Sequence, residues 1–182
     1  RLEGQRFIEP GPYVEALGRA VVERGGRIRT DAEVVSVNNG SVVLETGERV
    51  ETDKVVIATG AWLPELAREH GVRTLVQAGR GYSFTVETEE PAEHSVYLPY
   101  HRMACTPYQG RFRIAGTMEF RRPDEPLYPR RIEAIVNQAR KVMQGVDLDN
   151  RRDEWVGSRP VTPDGKSLVG RTRTENVYVA GW

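Results

Sequence analysis

A strand-to-turn segment directly after the apolar run at residues 54–57 is the first candidate for contact with a bound ligand. The segment consists of Ala58, Thr59, Gly60, Ala61 and Trp62. Small side chains let the backbone of such a turn approach a ligand closely, and its amides can face a negatively charged diphosphate. Alternatively, the turn is only a tight exit from a buried strand, with Trp62 packed in the core. The residues by themselves leave both interpretations open.

Arg159 is a second candidate, because a planar guanidinium can bind a carboxylate through two parallel hydrogen bonds. Taken by itself, an arginine is more commonly solvated or paired, and here Asp153 and Glu154 are the nearby acidic partners. No Ser-His-Asp or paired-carboxylate arrangement can be argued, since nothing in the sequence brings the members together. We therefore assign no catalytic residue and, in the absence of metal-ligand spacing, no metal site.

Composition excludes several classes of protein. The 182 residues carry 26 basic and 26 acidic side chains, and the scattered basic residues give no footprint for nucleic acid. No apolar run approaches the roughly 18 residues of a membrane-spanning helix. The only cysteine, Cys105, cannot form an internal disulfide and is expected to be a buried thiol, which favours a reducing compartment. The oligomeric state stays open.

Periodicity in the first part of the chain predicts a helix, a meander and a buried strand. Apolar residues recur at helical spacing from Tyr13 to Val21, after prolines suited to a first turn and before Gly25 and Gly26. Three short β segments at residues 33–37, 41–45 and 49–52 alternate with turns and predict an antiparallel meander. The apolar run at residues 54–60 predicts a strand of a parallel sheet that is covered on both faces.

Later segments predict an antiparallel sheet with one packed helix. Alternation at Tyr82, Phe84 and Val86 indicates a half-buried strand. A second strand is predicted from Phe112, Ile114, Met118 and Phe120, with Gly116 interrupting the same face. An apolar stripe from Ile132 to Met143 predicts the helix. His70 and His94 are predicted to be surface loop residues.

The predicted fold class is therefore α+β, with an α/β part and an antiparallel or mixed substrate-side sheet. The change from parallel to antiparallel character divides the chain into residues 1–73, 74–161 and 162–182. The last segment is expected to return to the first layer.

Four segments, in their order and spacing, carry a resemblance to a known family. They are residues 12–17 (PYVEAL), 54–62 (KVVIATGAW), 79–84 (GRGYSF) and 157–170 (GSRPVTPDGKSLVG). Together they resemble the D-amino-acid oxidase superfamily of FAD-dependent oxidoreductases, and within it the bacterial D-amino-acid dehydrogenases and glycine oxidases. The resemblance implies that residues 1–73 and 162–182 are parts of an FAD-binding domain and that residues 74–161 form a substrate-binding domain.

The resemblance also implies roles for individual residues. It implies FAD contacts at Val35, Ala58, Thr59, Gly60, Ala61, Trp62, Gly157 and Gly181. It implies that Arg159 binds the substrate carboxylate and that Tyr82, His101 and Met103 contact the substrate, with Tyr97 and Tyr100 as further candidates. Relatives that attach flavin covalently have a cysteine at the position of Gly157, so the comparison implies non-covalent FAD.

The family's opening Gly-x-Gly-x-x-Gly turn, which holds the FAD diphosphate at a helix N-terminus, is missing from these residues. The start, Arg1-Leu2-Glu3-Gly4, has neither an initiator Met nor a signal peptide. We therefore expect a fragment that by itself binds FAD poorly or not at all and is inactive.

For the full-length parent, the resemblance implies oxidation of D-amino acids or glycine-like amines by hydride transfer to flavin. Sarcosine- or proline-type oxidation on the same fold and a non-catalytic isolated domain are the alternatives. We expect a cytoplasmic protein, with peripheral attachment to the cytoplasmic membrane as a variant. The choice of amine, and of oxygen or quinone as electron acceptor, is left open.

Overall fold

The computed structural model describes residues 6–90 and 93–181, so the start at Arg1 to Gly4, which opens the predicted segment 1–73, lies outside the described residues. Within the described ranges there are three α-helices and three β-sheets, which confirms the mixed fold class. The helices are α1 (Pro10–Glu23), α2 (Leu63–Ala67) and α3 (Pro129–Ala139). The strands are β1 (Val34–Asn38), β2 (Ser41–Leu44), β3 (Arg49–Glu51), β4 (Val55–Ile57), β5 (Gln77–Val86), β6 (Val96–Leu98), β7 (Met103–Tyr108), β8 (Arg111–Arg121), β9 (Arg152–Val161), β10 (Leu168–Arg171) and β11 (Val177–Gly181). No helix among these residues is long and apolar enough to cross a membrane.

The chain forms two compact units. Unit 1 comprises Arg1–Asp31, Tyr82–Thr117 and Tyr128–Trp155. Unit 2 comprises Ala32–Gly81, Met118–Leu127 and Val156–Trp182. The domain boundaries after residues 73 and 161 stay a prediction.

Unit 2 contains the predicted meander and the predicted parallel strand. Strands β1, β2 and β3 pair antiparallel in sequence order, which confirms the meander. Strand β4 pairs in parallel with β11, and β10 pairs antiparallel on the other side of β11. The prediction that β4 is covered on both faces is wrong for this chain. Alternate side chains of a strand point to opposite faces, so Ile57 enters the core while Val56 on the other face is 58% exposed.

The core of unit 2 lies between the β4–β11 pair, the meander and helix α2. Its buried members are Val37, Ile57, Leu63, Ala67, Val177 and Val179. His70, which follows α2, is also buried, and its Nδ1 lies 2.8 Å from Oγ1 of Thr174. The prediction of a surface position for His70 is therefore wrong, because a tertiary contact covers its loop.

Strand β5 is the fourth strand of a five-stranded sheet with the order β6-β7-β8-β5-β9. Tyr82 and Phe84 are buried as predicted, but Ser83 and Thr85 on the opposite face are buried too, so the half-buried assignment is wrong. The polar side chains are satisfied where they lie: Arg113 Nη2 donates to Ser83 Oγ at 2.8 Å, and Thr85 Oγ1 donates to Asp153 Oδ2 at 2.6 Å. Hydrogen bonding makes the burial of these polar groups tolerable.

Strand β8 pairs antiparallel with β7, but its alternation reverses part-way along. Phe112 and Ile114 are buried, whereas Met118 and Phe120 are exposed and Glu119 between them is buried. Thr117 has a φ of 47°, a left-handed conformation that shifts every later side chain to the other face. The prediction of one continuous apolar face is therefore wrong beyond Gly116.

Two helices of unit 1 were predicted, and both are present. Helix α1 ends as expected at glycines: Gly25 has a φ of 86°, and the Gly26 amide donates to Val21 O at 2.9 Å. Helix α3 buries Ile132, Ile135, Val136 and Ala139. It ends at Ala139, so the predicted stripe runs too far, and Val142 is exposed beyond its end.

We expect Ile135→Ala to lower the free energy of unfolding by about 2–5 kcal/mol, because it leaves a cavity at a buried helix position. Val142→Ala is the matched control, since it trims an exposed apolar side chain and should cost no more than about 0.5 kcal/mol. Urea unfolding measures both. Equal losses from the two variants would contradict the assignment of this helix face.

Candidate functional site

The carboxyl ends of β4 and β11 meet at one edge of their sheet in unit 2. The parallel register places Val179 beside Ile57, so the residues that follow Ile57 and the end of β11 at Gly181 emerge on the same side. Ligands of open α/β sheets bind outside the carboxyl ends of parallel strands. We call residues 58–62 together with Gly181 the carboxyl edge.

Small residues and backbone line the carboxyl edge. Ala58 and Thr59 are exposed, and the Trp62 amide donates to Thr59 O at 3.0 Å in the 3-10 turn Gly60–Trp62. Gly60 has a φ of 55°, and a Cβ added there would meet no atom within 4 Å. Gly181 packs against the next segment, since a Cβ on it would lie 3.4 Å from Leu63 Cδ2. Ala61, within the same turn, is buried. The backbone-lined part of the edge at residues 58–60, exposed at its first two residues, fits a group that needs close approach of the main chain.

Trp62 does not pack in the core, as the interpretation of the turn as a tight strand exit would require. Its side chain is 37% exposed, and its Nε1 donates to Asp124 Oδ1 at 2.7 Å. The indole is therefore held in place by a polar contact at the end of the carboxyl edge.

Arg159, on β9, lies beside a glycine on the neighbouring strand β5. A Cβ added to Gly79 would come within 3.5 Å of Arg159 Cγ, 3.3 Å of Met118 Sδ and 2.8 Å of Val161 Cγ2. The missing side chain of Gly79 thus makes room for the arginine stem and for the methionine. Met118, which is 51% exposed, was not predicted as a site residue, because only the neighbouring strands bring it next to Arg159.

Arg159 is exposed, and among residues 6–90 and 93–181 its guanidinium has no hydrogen bond or ion pair. Both acidic partners that the sequence suggested are engaged elsewhere. Asp153 accepts from Arg111 Nη1 at 2.9 Å and Glu154 from Arg151 Nε at 2.7 Å. Hydrogen bonding to Thr85, together with nearby arginines, lowers the pKa of Asp153. The ion-pair alternative for Arg159 is therefore wrong.

The other predicted substrate contacts belong to unit 1, and the structure separates them by burial. Tyr82 and Met103 are each only 1% exposed and lie in the core, and their contact with a substrate stays a prediction. His101 is half-buried, and its Nδ1 lies 3.1 Å from Oε1 of Gln138 on α3. Tyr97 and Tyr100 are exposed.

All eight predicted FAD contacts lie in unit 2, as does Arg159. Six of them form the carboxyl edge. Val35 on β1 is exposed and Gly157 on β9 is half-buried. Binding of a cofactor at any of the eight residues stays a prediction.

Cys105 lies on β7 and is buried, and burial raises the pKa of its thiol to about 11. Because the thiolate is the reactive form, we expect alkylation by iodoacetamide at pH 8 to be very slow in the folded chain and rapid in urea. Mass spectrometry of the alkylated protein over time measures both rates. Fast alkylation without denaturant would contradict the buried position.

The contact around Gly79 can be tested by stability. We expect Gly79→Ala to destabilise the chain by about 1–3 kcal/mol, because the new methyl forces Val161 to move. Gly81→Ala, two residues along the same strand, is the matched control, since its Cβ would meet nothing within 4 Å. Urea unfolding of the two variants gives the comparison, and an equal effect would contradict the packing described here.

Comparison with known proteins agrees with the resemblance and the fold. The family model described as "FAD dependent oxidoreductase" (DAO) matches residues 2–182. The D-amino acid dehydrogenase of Cereibacter sphaeroides is 30% identical over 98% of this chain and 43% of its own length. That of Paramagnetospirillum magneticum is 36% identical over 68% of this chain and 30% of its own length.

Among solved structures, glycine oxidase from Geobacillus kaustophilus superimposes with a TM-score of 0.79 at 24% identity, over 92% of this chain and 46% of that one. L-proline dehydrogenase from P. horikoshii gives a TM-score of 0.72 at 20% identity. These likenesses show the fold, and the chain spans less than half the length of these four relatives. The match of the family model to almost every residue shows that this chain belongs to the DAO family of FAD-dependent oxidoreductases.

Proposed function

We propose that a protein of its relatives' length that contains this chain oxidises D-amino acids or glycine-like amines with FAD as the electron acceptor. The observation that carries the proposal is Arg159, an exposed arginine that no carboxylate of the described chain engages. The names of the curated relatives, D-amino acid dehydrogenases, support an amino-acid substrate.

Arg159 would bind the substrate carboxylate. A guanidinium with no protein partner keeps its paired N–H donors available for a bidentate contact, which fixes both the position and the orientation of a planar acid group. Gly79 leaves room for the arginine stem, and Met118 beside it offers a flexible apolar contact to the rest of a small substrate.

The carboxyl edge would hold the cofactor. Residues 58–60 and Gly181 present small side chains and main chain at the ends of two parallel strands, which suits close approach of a dinucleotide. Trp62 would border the same site, and Val35 and Gly157 are the remaining proposed contacts. Since Gly157 has no side chain, it cannot form a covalent link, and we propose non-covalent FAD.

The chain's own residues would bind, orient and desolvate the amine rather than carry out acid–base chemistry. When bound, FAD supplies the redox chemistry as a two-electron acceptor. The substrate loses a hydride from its α-carbon and a proton from its nitrogen, and water then hydrolyses the imine to the keto acid and ammonia. With the carboxylate held by Arg159, orientation of the α-carbon is the protein's main contribution to the rate.

We expect Arg159→Lys to raise the KM for D-alanine by about 10- to 100-fold with a smaller change in kcat, because the bidentate contact is lost. The assay uses the complete flavin-loaded protein with an artificial electron acceptor. Arg171→Lys, an exposed arginine on β10 of the same unit, is the matched control and should leave the KM unchanged.

The same assay with glycine, N-methylglycine and proline shows which class of amine the protein oxidises. Turnover of only the last two would replace the proposed substrate by the sarcosine or proline type. No turnover of any amine by the flavin-loaded wild-type protein would contradict an oxidoreductase function for it.

A further inference from the structure

We propose that the 122–127 loop is a positioning element that couples the cofactor turn to the carboxylate-binding strand, with Asp124 as its key residue. The loop connects β8 to the start of α3. The inference rests on the proposed function, because it assigns FAD to the carboxyl edge and the substrate carboxylate to Arg159. Its own basis is a set of hydrogen bonds that lie entirely within unit 2.

Two contacts of the loop lie at the two halves of the proposed site. Asp124 Oδ1 accepts a hydrogen bond from Trp62 Nε1 at 2.7 Å, at the end of the carboxyl edge. Pro123 O accepts one from Ser158 Oγ at 3.0 Å, and Ser158 directly precedes Arg159. Adjacent residues of one loop therefore hold the indole of the cofactor turn and the residue next to the substrate arginine.

A buried arginine fixes the other end of the loop. Arg80 on β5 is only 1% exposed, and it donates to Glu125 O and, at 3.2 Å, to Pro126 O. Its Nη1 also lies 3.5 Å from Oε1 of Glu119, which is itself almost completely buried. A buried charge is costly unless it is paired and hydrogen-bonded, so displacing the loop would remove acceptors that Arg80 needs.

The loop contains a turn in which the Glu125 amide donates to Arg122 O, and Glu125 also pairs with Arg121. The contacts of Asp124, Pro123 and Arg80 tie this turn to its surroundings. Without Asp124, the indole of Trp62 loses the acceptor that orients it, and Pro123, which accepts from Ser158, belongs to a loop that has lost its contact with the carboxyl edge. The position of Asp124 should therefore affect both flavin affinity and substrate affinity, although Asp124 touches neither ligand.

The test uses the complete protein and a double-mutant cycle between Trp62 and Asp124. Asp124→Ala removes the acceptor, Trp62→Phe removes the donor, and Asp124→Asn removes the charge but keeps an oxygen acceptor. Asp53→Ala is the matched control, an exposed aspartate of the same unit that lies outside the site. The measurements are the Kd for FAD on re-addition to deflavinated protein, the KM and kcat for D-alanine, and the NMR shift of the Trp62 indole proton.

We expect Asp124→Ala to shift the indole resonance and to raise both the Kd for FAD and the KM for D-alanine about three- to ten-fold, with kcat at saturation unchanged. Asp124→Asn should stay close to wild type. The double variant should be no worse than Trp62→Phe alone, because the hydrogen bond between the two residues is already lost in that variant. The Asp53→Ala control should match wild type in every measurement.

Three results would overturn the inference. In the first, Asp124→Ala lowers the unfolding midpoint but changes neither Kd nor KM, which would make the loop merely structural. In the second, Asp124→Asn raises the Kd for FAD and the KM for D-alanine as much as Asp124→Ala does. The loss of affinity would then come from the lost negative charge and not from the hydrogen bond to Trp62. In the third, the wild-type protein binds no FAD. That result would overturn the proposed function as well, whereas the first two leave it intact.

Discussion

The parallel pairing of β4 with β11 is the interaction on which the architecture of unit 2 depends. The two strands are short and far apart in the sequence, so neither local propensity nor a tight turn can hold them together. Burial of Ile57, Val177 and Val179 in one core supplies the stabilisation, roughly 1.5–3 kcal/mol for each large apolar side chain. The same pairing brings the turn after β4 and the end of β11 to one edge. The pairing of β4 with β11 therefore forms both the core of unit 2 and its carboxyl edge.

Features encoded by neighbouring residues could be predicted from the sequence. The meander follows from turns at Asn39-Gly40 and Gly47, and helix α1 ends where Gly25 adopts a left-handed conformation. Predictions failed where contacts with residues far away in the sequence determine which side chains are buried. Alternation predicted that Met118 and Phe120 lie on the buried face of β8. Instead Glu119 between them is buried, beside the buried Arg80. Likewise Ser83 and Thr85 are buried because partners on other strands bind them.

The residues of the candidate site likewise fall into those that a sequence motif predicts and those that only contacts between distant segments reveal. Arg159 and residues 58–62 were found because a sequence motif carries them, and the structure adds that the arginine has no acidic partner within the described chain. Met118, Asp124 and Ser158 belong to no motif, since their relevance arises from contacts between segments far apart in the chain. Tyr82 and Met103 came from the resemblance, and the structure adds that both are almost completely buried. Motifs therefore identified the proposed ligand contacts, and only contacts between distant segments could identify the residues proposed to position them.

Hydrogen exchange can show whether the carboxyl edge of β4 and β11 holds the flavin nucleotide, as we propose. Deflavinated complete protein is compared with and without added FAD by mass spectrometry of its peptides. We expect slower exchange of backbone amides in residues 58–63 and 177–181, with peptides from β2 and β3 unchanged. Tight FAD binding without protection of either segment would contradict it.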